Sequence, residues 1–146
     1  MHVIGFNFEK INAERYGNLK GKLELNSNIN ISDIAEEEIE SISKKPLKFS
    51  FNVDIIYNPD FAKISFKGFI IALFDDKLKK EILSTWKDKK VLESVREEVM
   101  NIIFIKTNLK AFQLAEELGL PIHMPLPRLV LEKGEKTANQ PKSYTG

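Results

Sequence analysis

Hydrophobic and polar residues alternate with a period of two through much of the first 73 residues. This is the period of a β-strand with one buried face and one exposed face. Four such rows are present, and a strong turn, Asn58-Pro59-Asp60, separates the third row from the fourth. Their apolar positions are His2, Ile4, Phe6 and Phe8; Leu23, Leu25, Ile29 and Ile31; Leu47, Phe49, Phe51, Val53, Ile55 and Tyr57; and Ala62, Ile64, Phe66, Gly68, Ile70 and Ala72. Because no helical pattern separates the rows, they predict a four-stranded antiparallel sheet.

Two segments depart from the simple alternation. From Ser32 the second row gives way to an acidic stretch that reaches Glu40, which we expect to form a solvated loop or one helical turn. At the end of the fourth row, Phe69, Ile71 and Leu73 make the reverse face apolar as well. We therefore expect that end of the strand to be covered on both sides.

The second half has the period of helices. Asp75-Asp76 can cap a short helix that contains Leu78, Ile82 and Trp86 at spacings of four. A longer helix is predicted from about Lys90, and Gly119 followed by Pro121 ends the helical region. Thr107-Asn108 either break this helix or cap a further one from Leu109 to Leu118. The main apolar stripe of the long helix consists of Val91, Leu92, Val95, Val99, Ile102, Ile103 and Leu109.

The long helix has more apolar residues than one sheet requires. Met100 and Phe104 project outside the main stripe, and an unbroken helix extends their row through Ala111, Leu114 and Leu118. Full burial of a Met or Phe side chain is worth about 1.5–3 kcal/mol. We therefore expect this row to be covered by the helix containing Trp86, by a second copy of the chain, or by another partner.

The predicted fold class is therefore α+β, with a four-stranded antiparallel sheet followed by C-terminal helices. The 146 residues suit a single domain, which we place at residues 1–131. Within it, the segment from Gly119 to Leu129 contains three prolines and is predicted to be extended. Residues 132–146 have little to bury, and we expect them to form a mobile C-terminal tail.

Charge and composition exclude several classes of protein. The 22 basic and 21 acidic residues nearly cancel, so no nucleic-acid or membrane partner is expected. Cysteine is absent, which excludes disulfides and thiolate metal sites. The N-terminus lacks an export-signal pattern, and the apolar run from Val99 to Ile105 is far shorter than the roughly 20 residues that span a bilayer. We therefore expect a cytoplasmic protein.

The sequence offers little for catalysis. Its two histidines, His2 and His123, lie far apart, and the acidic stretch lacks the ligand pattern of a calcium loop. No glycine-rich phosphate loop, Ser-His-Asp order or paired-acid spacing is present. We therefore expect no catalytic, metal-binding or cofactor-binding residues, no cofactor and no enzymatic activity.

The order of the elements resembles the SecB export chaperone and its superfamily. Three short segments are similar to patterns of that family: Lys67-Gly68-Phe69-Ile70 in the last strand, Val95-Arg96-Glu97-Glu98-Val99 in the long helix, and Leu120-Pro121-Ile122-His123-Met124-Pro125-Leu126 after it. The resemblance spans roughly residues 1–130. It implies an oligomer, commonly a dimer of dimers, that holds unfolded polypeptide in apolar grooves beside the sheet and helices.

The leading hypothesis is thus a non-enzymatic, SecB-like polypeptide-binding protein of the chaperone type that self-associates as a dimer or tetramer. The surplus row Met100, Phe104, Ala111, Leu114 and Leu118 is its candidate partner or oligomer surface. The alternative is a small apolar-ligand-binding protein whose sheet grips the long helix around a cavity. The family's acidic contact with the export motor is not implied here, because this chain is nearly neutral.

Overall fold

The computed structural model describes residues 1–18 and 21–121. The predicted tail at 132–146 and the extended segment beyond residue 121 lie outside the described residues. The elements are β1 (His2–Arg15), β2 (Glu24–Glu36), β3 (Leu47–Asn58), β4 (Ala62–Leu73), α1 (Asp76–Trp86) and α2 (Glu93–Glu117). The predicted α+β class, with a four-stranded antiparallel sheet followed by helices, is confirmed.

The sheet has the strand order β1-β4-β3-β2, so β1 and β2 form its two edges. All three neighbouring pairs are antiparallel, and the predicted turn at Asn58-Pro59-Asp60 joins β3 to β4. In these two central strands the predicted core rows are buried and the alternate positions are mostly half-exposed. One face of the sheet therefore packs into the core, as the alternation predicts.

The acidic stretch after Ser32 is only partly a loop. The prediction is wrong for its first residues, because β2 continues to Glu36. A register irregularity between Ile31 and Asp33 returns Ile34 to the core side, where it pairs with Phe49. Such a bulge shifts the alternation by one residue, so a strict period of two ends the strand too early.

The apolar end of β4 is covered fully on one side only. Ile70 and Ala72 are completely buried in the core, whereas Phe69, Ile71 and Leu73 on the reverse face are half-buried. Thus the expectation of cover on both sides is met only in part.

Helix α1 begins as predicted. The Asp75 carboxylate accepts a hydrogen bond from the backbone N–H of Leu78 at 2.8 Å, which caps the helix. Lys79 forms an ion pair with Glu36 and donates to the carbonyl oxygen of Lys45 at 3.0 Å. These two contacts hold α1 against the end of β2.

Helix α2 is unbroken through Thr107-Asn108 and begins at Glu93 rather than near Lys90. The Thr107 hydroxyl donates to the carbonyl oxygen of Ile103 at 2.7 Å, and the Asn108 side chain donates to that of Phe104 at 2.8 Å. Because both side chains bond to the preceding turn, the polar pair is accommodated without ending the helix.

Gly119 ends α2 in the left-handed conformation, with φ +63°, as predicted. The N–H groups of Gly119 and Leu120 bond to the carbonyls of Glu116 and Ala115, the pattern of a Schellman cap. The Arg15 guanidinium donates to the Leu118 carbonyl at 2.9 Å. The C-terminal end of α2 is thereby fixed to β1.

On the face of α2 that is turned toward the sheet, a buried residue recurs at every fourth position. Steps of four rotate the buried row by about 40° each, so this row winds around the helix. Leu109, predicted in the main stripe, is 59% exposed, and Ala111, predicted in the second row, is completely buried. Both residues are placed differently from the prediction, because the prediction assumes a row with a period of 3.6 residues, whereas the buried row has a period of four. The buried row consists of Val95, Val99, Ile103, Thr107, Ala111 and Ala115.

Candidate partner surface

The side of α2 turned away from the sheet is apolar near its centre. Ile105 and Leu109 lie one turn apart and are each 59% exposed, and the adjacent Phe104 is 42% exposed. We call these three residues the outer face of α2. Each leaves in water apolar surface whose burial would be worth on the order of 1 kcal/mol or more. A cluster of this kind is typical of a contact surface for another molecule.

The five residues predicted as a partner surface do not form one surface. Phe104 belongs to the outer face, and Met100, one turn earlier on the same flank, is half-buried. Leu114 and Leu118 are half-buried and pack against the core, and Ala111 is completely buried within it. The predicted row therefore splits between the surface and the interior.

Two members of the outer face were missed by the sequence pattern. The predicted core stripe includes Leu109, and neither predicted row includes Ile105. With Val95, Val99 and Ile103 taken as a buried row of period four, both residues fall on the opposite side of the helix. A period of four would thus have identified the outer face from the sequence.

A groove of about 390 Å³ lies beside α2, between β2 and the connection from α1 to α2. We call it the β2–α2 groove. Met100 lines it on the side of α2, and Trp86 lines it at the end of α1. Its apolar wall consists of Ile29, Ile31, Trp86, Val91 and Met100, and its charged residues are Lys89, Lys90, Glu93 and Arg96. The groove therefore combines an apolar wall with a polar rim.

The groove is bordered by an edge strand. Among the described residues, β2 pairs only with β3, and no strand pairs with its outer edge. Such an edge has unpaired backbone N–H and C=O groups, to which an extended polypeptide can add as a further strand. An apolar wall next to an open strand edge is suited to a polypeptide in extended conformation.

The shifted titratable groups lie away from this surface. The Lys79 ammonium, which bonds to the carboxylate of Glu36, holds the pKa of Glu36 below its ordinary value. Burial raises the pKa of Tyr57, whose hydroxyl donates to the carbonyl oxygen of Pro121 at 2.7 Å. The side chains of Glu36 and Tyr57 both form contacts that hold parts of the fold together.

Within residues 1–18 and 21–121, no group of three or more His, Asp or Glu side chains is placed to hold a metal ion. No helix in the same part of the chain is long and apolar enough to cross a membrane.

No family model and no curated protein matches the sequence. The structure is similar to the SecB-like chaperone Rv1957 of Mycobacterium tuberculosis, solved in complex with a ChAD peptide from the Rv1956 HigA1 antitoxin. The two chains are 17% identical, the match covers 90% of each, and the TM-score is 0.48.

Proposed function

We propose that this chain is a non-enzymatic, SecB-like polypeptide-binding protein of the chaperone type that acts as a homo-oligomer. The observation that supports it is the outer face of α2, where Phe104, Ile105 and Leu109 are 42–59% exposed. The opposite side of the same helix is buried against the sheet. An apolar surface of this kind is stabilised when it packs against a second protein surface.

The position of the outer face favours contact with a second copy. Ile105 is the middle residue of α2, since Glu93–Glu117 places 12 residues on either side of it. In a twofold dimer the same patch meets itself, so two α2 helices that cross at their centres bring the two Ile105 side chains together. The polar neighbours Asn101 and Asn108 are uncharged and add no charge repulsion to that contact.

The β2–α2 groove is the proposed site for unfolded polypeptide. A segment added to the edge of β2 gains main-chain hydrogen bonds, which do not depend on its sequence. Its alternate side chains face the apolar wall that includes Trp86 and Met100. Binding of this kind selects for extended, apolar segments, which unfolded chains expose.

The alternative, a protein that binds a small apolar ligand between sheet and helix, has less support. Such sites are enclosed and mostly apolar. The β2–α2 groove has sufficient volume but is rimmed by charged residues. Val99 and Ile103, which α2 turns toward the sheet, are completely buried in the core.

The proposal is tested by light scattering from an aggregating, unfolded client protein. We expect the full chain to suppress aggregation at a several-fold molar excess. Val91→Glu places a charge on the apolar wall and is expected to abolish most of the suppression. Ser94→Glu is the matched control, because Ser94 is exposed and does not line the groove.

Circular dichroism establishes that both variants are folded before they are compared. Absence of suppression by the wild-type chain contradicts the proposal. Equal suppression by Val91→Glu and Ser94→Glu contradicts the assignment of the groove.

A further inference from the structure

The face of the sheet turned away from the helices contains a polar hollow of about 640 Å³. It lies on the side of the sheet opposite to the core, and neither helix contributes a residue to it. Most of its lining side chains are amides and amines: Asn12, Asn28, Asn30, Asn52, Lys10, Lys63 and Lys67. We call it the sheet hollow.

Strand pairing places these side chains in two rows that cross all four strands. The first row is Lys10, Lys67, Asn52 and Asn30, and the second is Asn12, Ser65, Asp54 and Asn28. Neighbouring strands lie about 4.8 Å apart, so each row is about 14 Å long. The hollow is therefore wide enough for an extended chain that follows the strand direction.

The sheet hollow has an excess of positive charge. Lys10 and Lys67 are direct cross-strand partners, an arrangement of like charges that destabilises a sheet. Among the described residues, Lys10, Lys63 and Lys67 have no carboxylate within ion-pair distance. The acid of the second row, Asp54, accepts a hydrogen bond from the Ser65 hydroxyl at 2.7 Å. Lys63 has Glu14 as its cross-strand partner, whereas Lys10 and Lys67 have no acidic cross-strand partner and remain available to an anionic ligand.

We propose that the sheet hollow binds an acidic polypeptide segment in extended conformation. Lys67 and Lys63 are four residues apart on β4, and side chains four residues apart on a parallel extended ligand have the same spacing, about 13 Å. Carboxylates at those ligand positions can pair with both lysines. The asparagine amides offer donors and acceptors in equal measure, which match the N–H and C=O groups of a peptide.

The chemistry of the hollow favours a peptide over other anions. Its two rows contain no aromatic side chain on which a nucleic-acid base can stack, and the ring of Phe66, which borders the hollow, is buried in the core. Small-molecule sites are mostly apolar and enclosed, whereas this hollow is polar and lies on an uncovered sheet face. The sheet hollow and the β2–α2 groove share Ile29 and Asn30 of β2, but the binding proposed for the hollow does not depend on the function proposed for the groove.

The test is a nuclear magnetic resonance titration of the full-length, ¹⁵N-labelled chain. The probe is a synthetic peptide of about eight residues in which glutamate alternates with serine, so that carboxylates recur at the required spacing. We expect the side-chain amide signals of Asn12, Asn28 and Asn52, which line the hollow but not the β2–α2 groove, to shift. A peptide with glutamine in place of glutamate is expected to cause no shift, because it has no carboxylate to pair with the lysines.

Variants connect the shifts to the lysines. Lys10→Glu combined with Lys67→Glu is expected to raise the Kd about tenfold or more, because two attractive charges become repulsive. Lys80→Glu is the matched control: Lys80 is exposed on α1 and is expected to change the Kd by less than about twofold. The milder pair Lys10→Gln and Lys67→Gln replaces the charge reversal if the latter does not fold.

Three results would overturn the proposal. One is the absence of shifts at the asparagines when the glutamate peptide is added. Another is an unchanged Kd in the folded lysine variants. The third is tighter binding of a single-stranded oligonucleotide than of the glutamate peptide at the same asparagines, which would assign the hollow to nucleic acid.

Discussion

Gly68 illustrates how one residue decides the packing of two strands. A Cβ atom at this position would stand 2.3 Å from the carbonyl oxygen of Asn7 and 2.8 Å from Cζ of Phe51. The first of these atoms belongs to the backbone of β1 and cannot move away alone. The absence of a side chain at Gly68 therefore allows β1 to lie close to β4 while Phe8 and Phe51 pack beside it.

We predict that Gly68→Ala lowers the free energy of unfolding by about 1–3 kcal/mol, because it overpacks this contact. Gly5→Ala is the matched control in β1, since a Cβ atom there meets only Ile71 at an ordinary 3.8 Å. Urea unfolding of the two variants measures the difference. Equal stability of the two variants would show that the strands can separate without cost.

At the scale of the element, helix α2 has a buried row on one side and the exposed outer face on the other. Ile103 is completely buried, whereas Ile105, two residues later, is 59% exposed. Removing a buried Ile side chain leaves a cavity, whereas removing an exposed one leaves none.

We predict that Ile103→Ala lowers the free energy of unfolding by about 2–5 kcal/mol. Ile105→Ala, in the same helix, is expected to change it by less than about 1 kcal/mol when the chain is monomeric. Chemical denaturation at low protein concentration compares the two. A larger loss for Ile105→Ala would contradict the four-residue period of the buried row.

The elements differ in how far the sequence predicts them. Strands β3 and β4 follow a strict alternation, and the sequence predicts their bounds and core rows almost completely. In β2 the irregularity after Ile31 inverts the alternation, so the residues up to Glu36 are missed. The pairing of β1 with β4 is also not predictable from periodicity, because strand order depends on contacts between residues distant in sequence.

The candidate site is less predictable for a physical reason. Sequence projection identifies Phe104 and Met100 as surplus apolar residues, but it assumes that each apolar row runs straight along the helix. The observed buried row winds around α2 through small residues such as Thr107, Ala111 and Ala115. Only this winding turns Leu109 outward and Ala111 inward. The groove and the sheet hollow depend on neighbouring strands, so they cannot be found from one segment.

At the scale of the whole molecule, the three surfaces lie at different places. The outer face of α2 lies on the side of the helix turned away from the sheet, the β2–α2 groove follows one edge of the sheet, and the sheet hollow occupies its reverse face. Self-association through α2 would leave the sheet hollow open to solvent, because that hollow lies on the opposite side of the sheet. The arrangement is thus compatible with an oligomer that binds through its sheets and grooves.

The most direct test of the account is the mass of the full chain in solution at micromolar concentration, measured by multi-angle light scattering. We predict a mass of at least twice the 16.8 kDa of one chain. Ile105→Asp combined with Leu109→Asp is expected to return the mass to that of a monomer, because each charge would have to be buried in the contact. Gln113→Asp, on the same side of α2 one turn further on, is the control and is expected to leave the oligomer intact. A wild-type chain of 16.8 kDa, or an oligomer unaffected by the double variant, would contradict the assignment of the outer face.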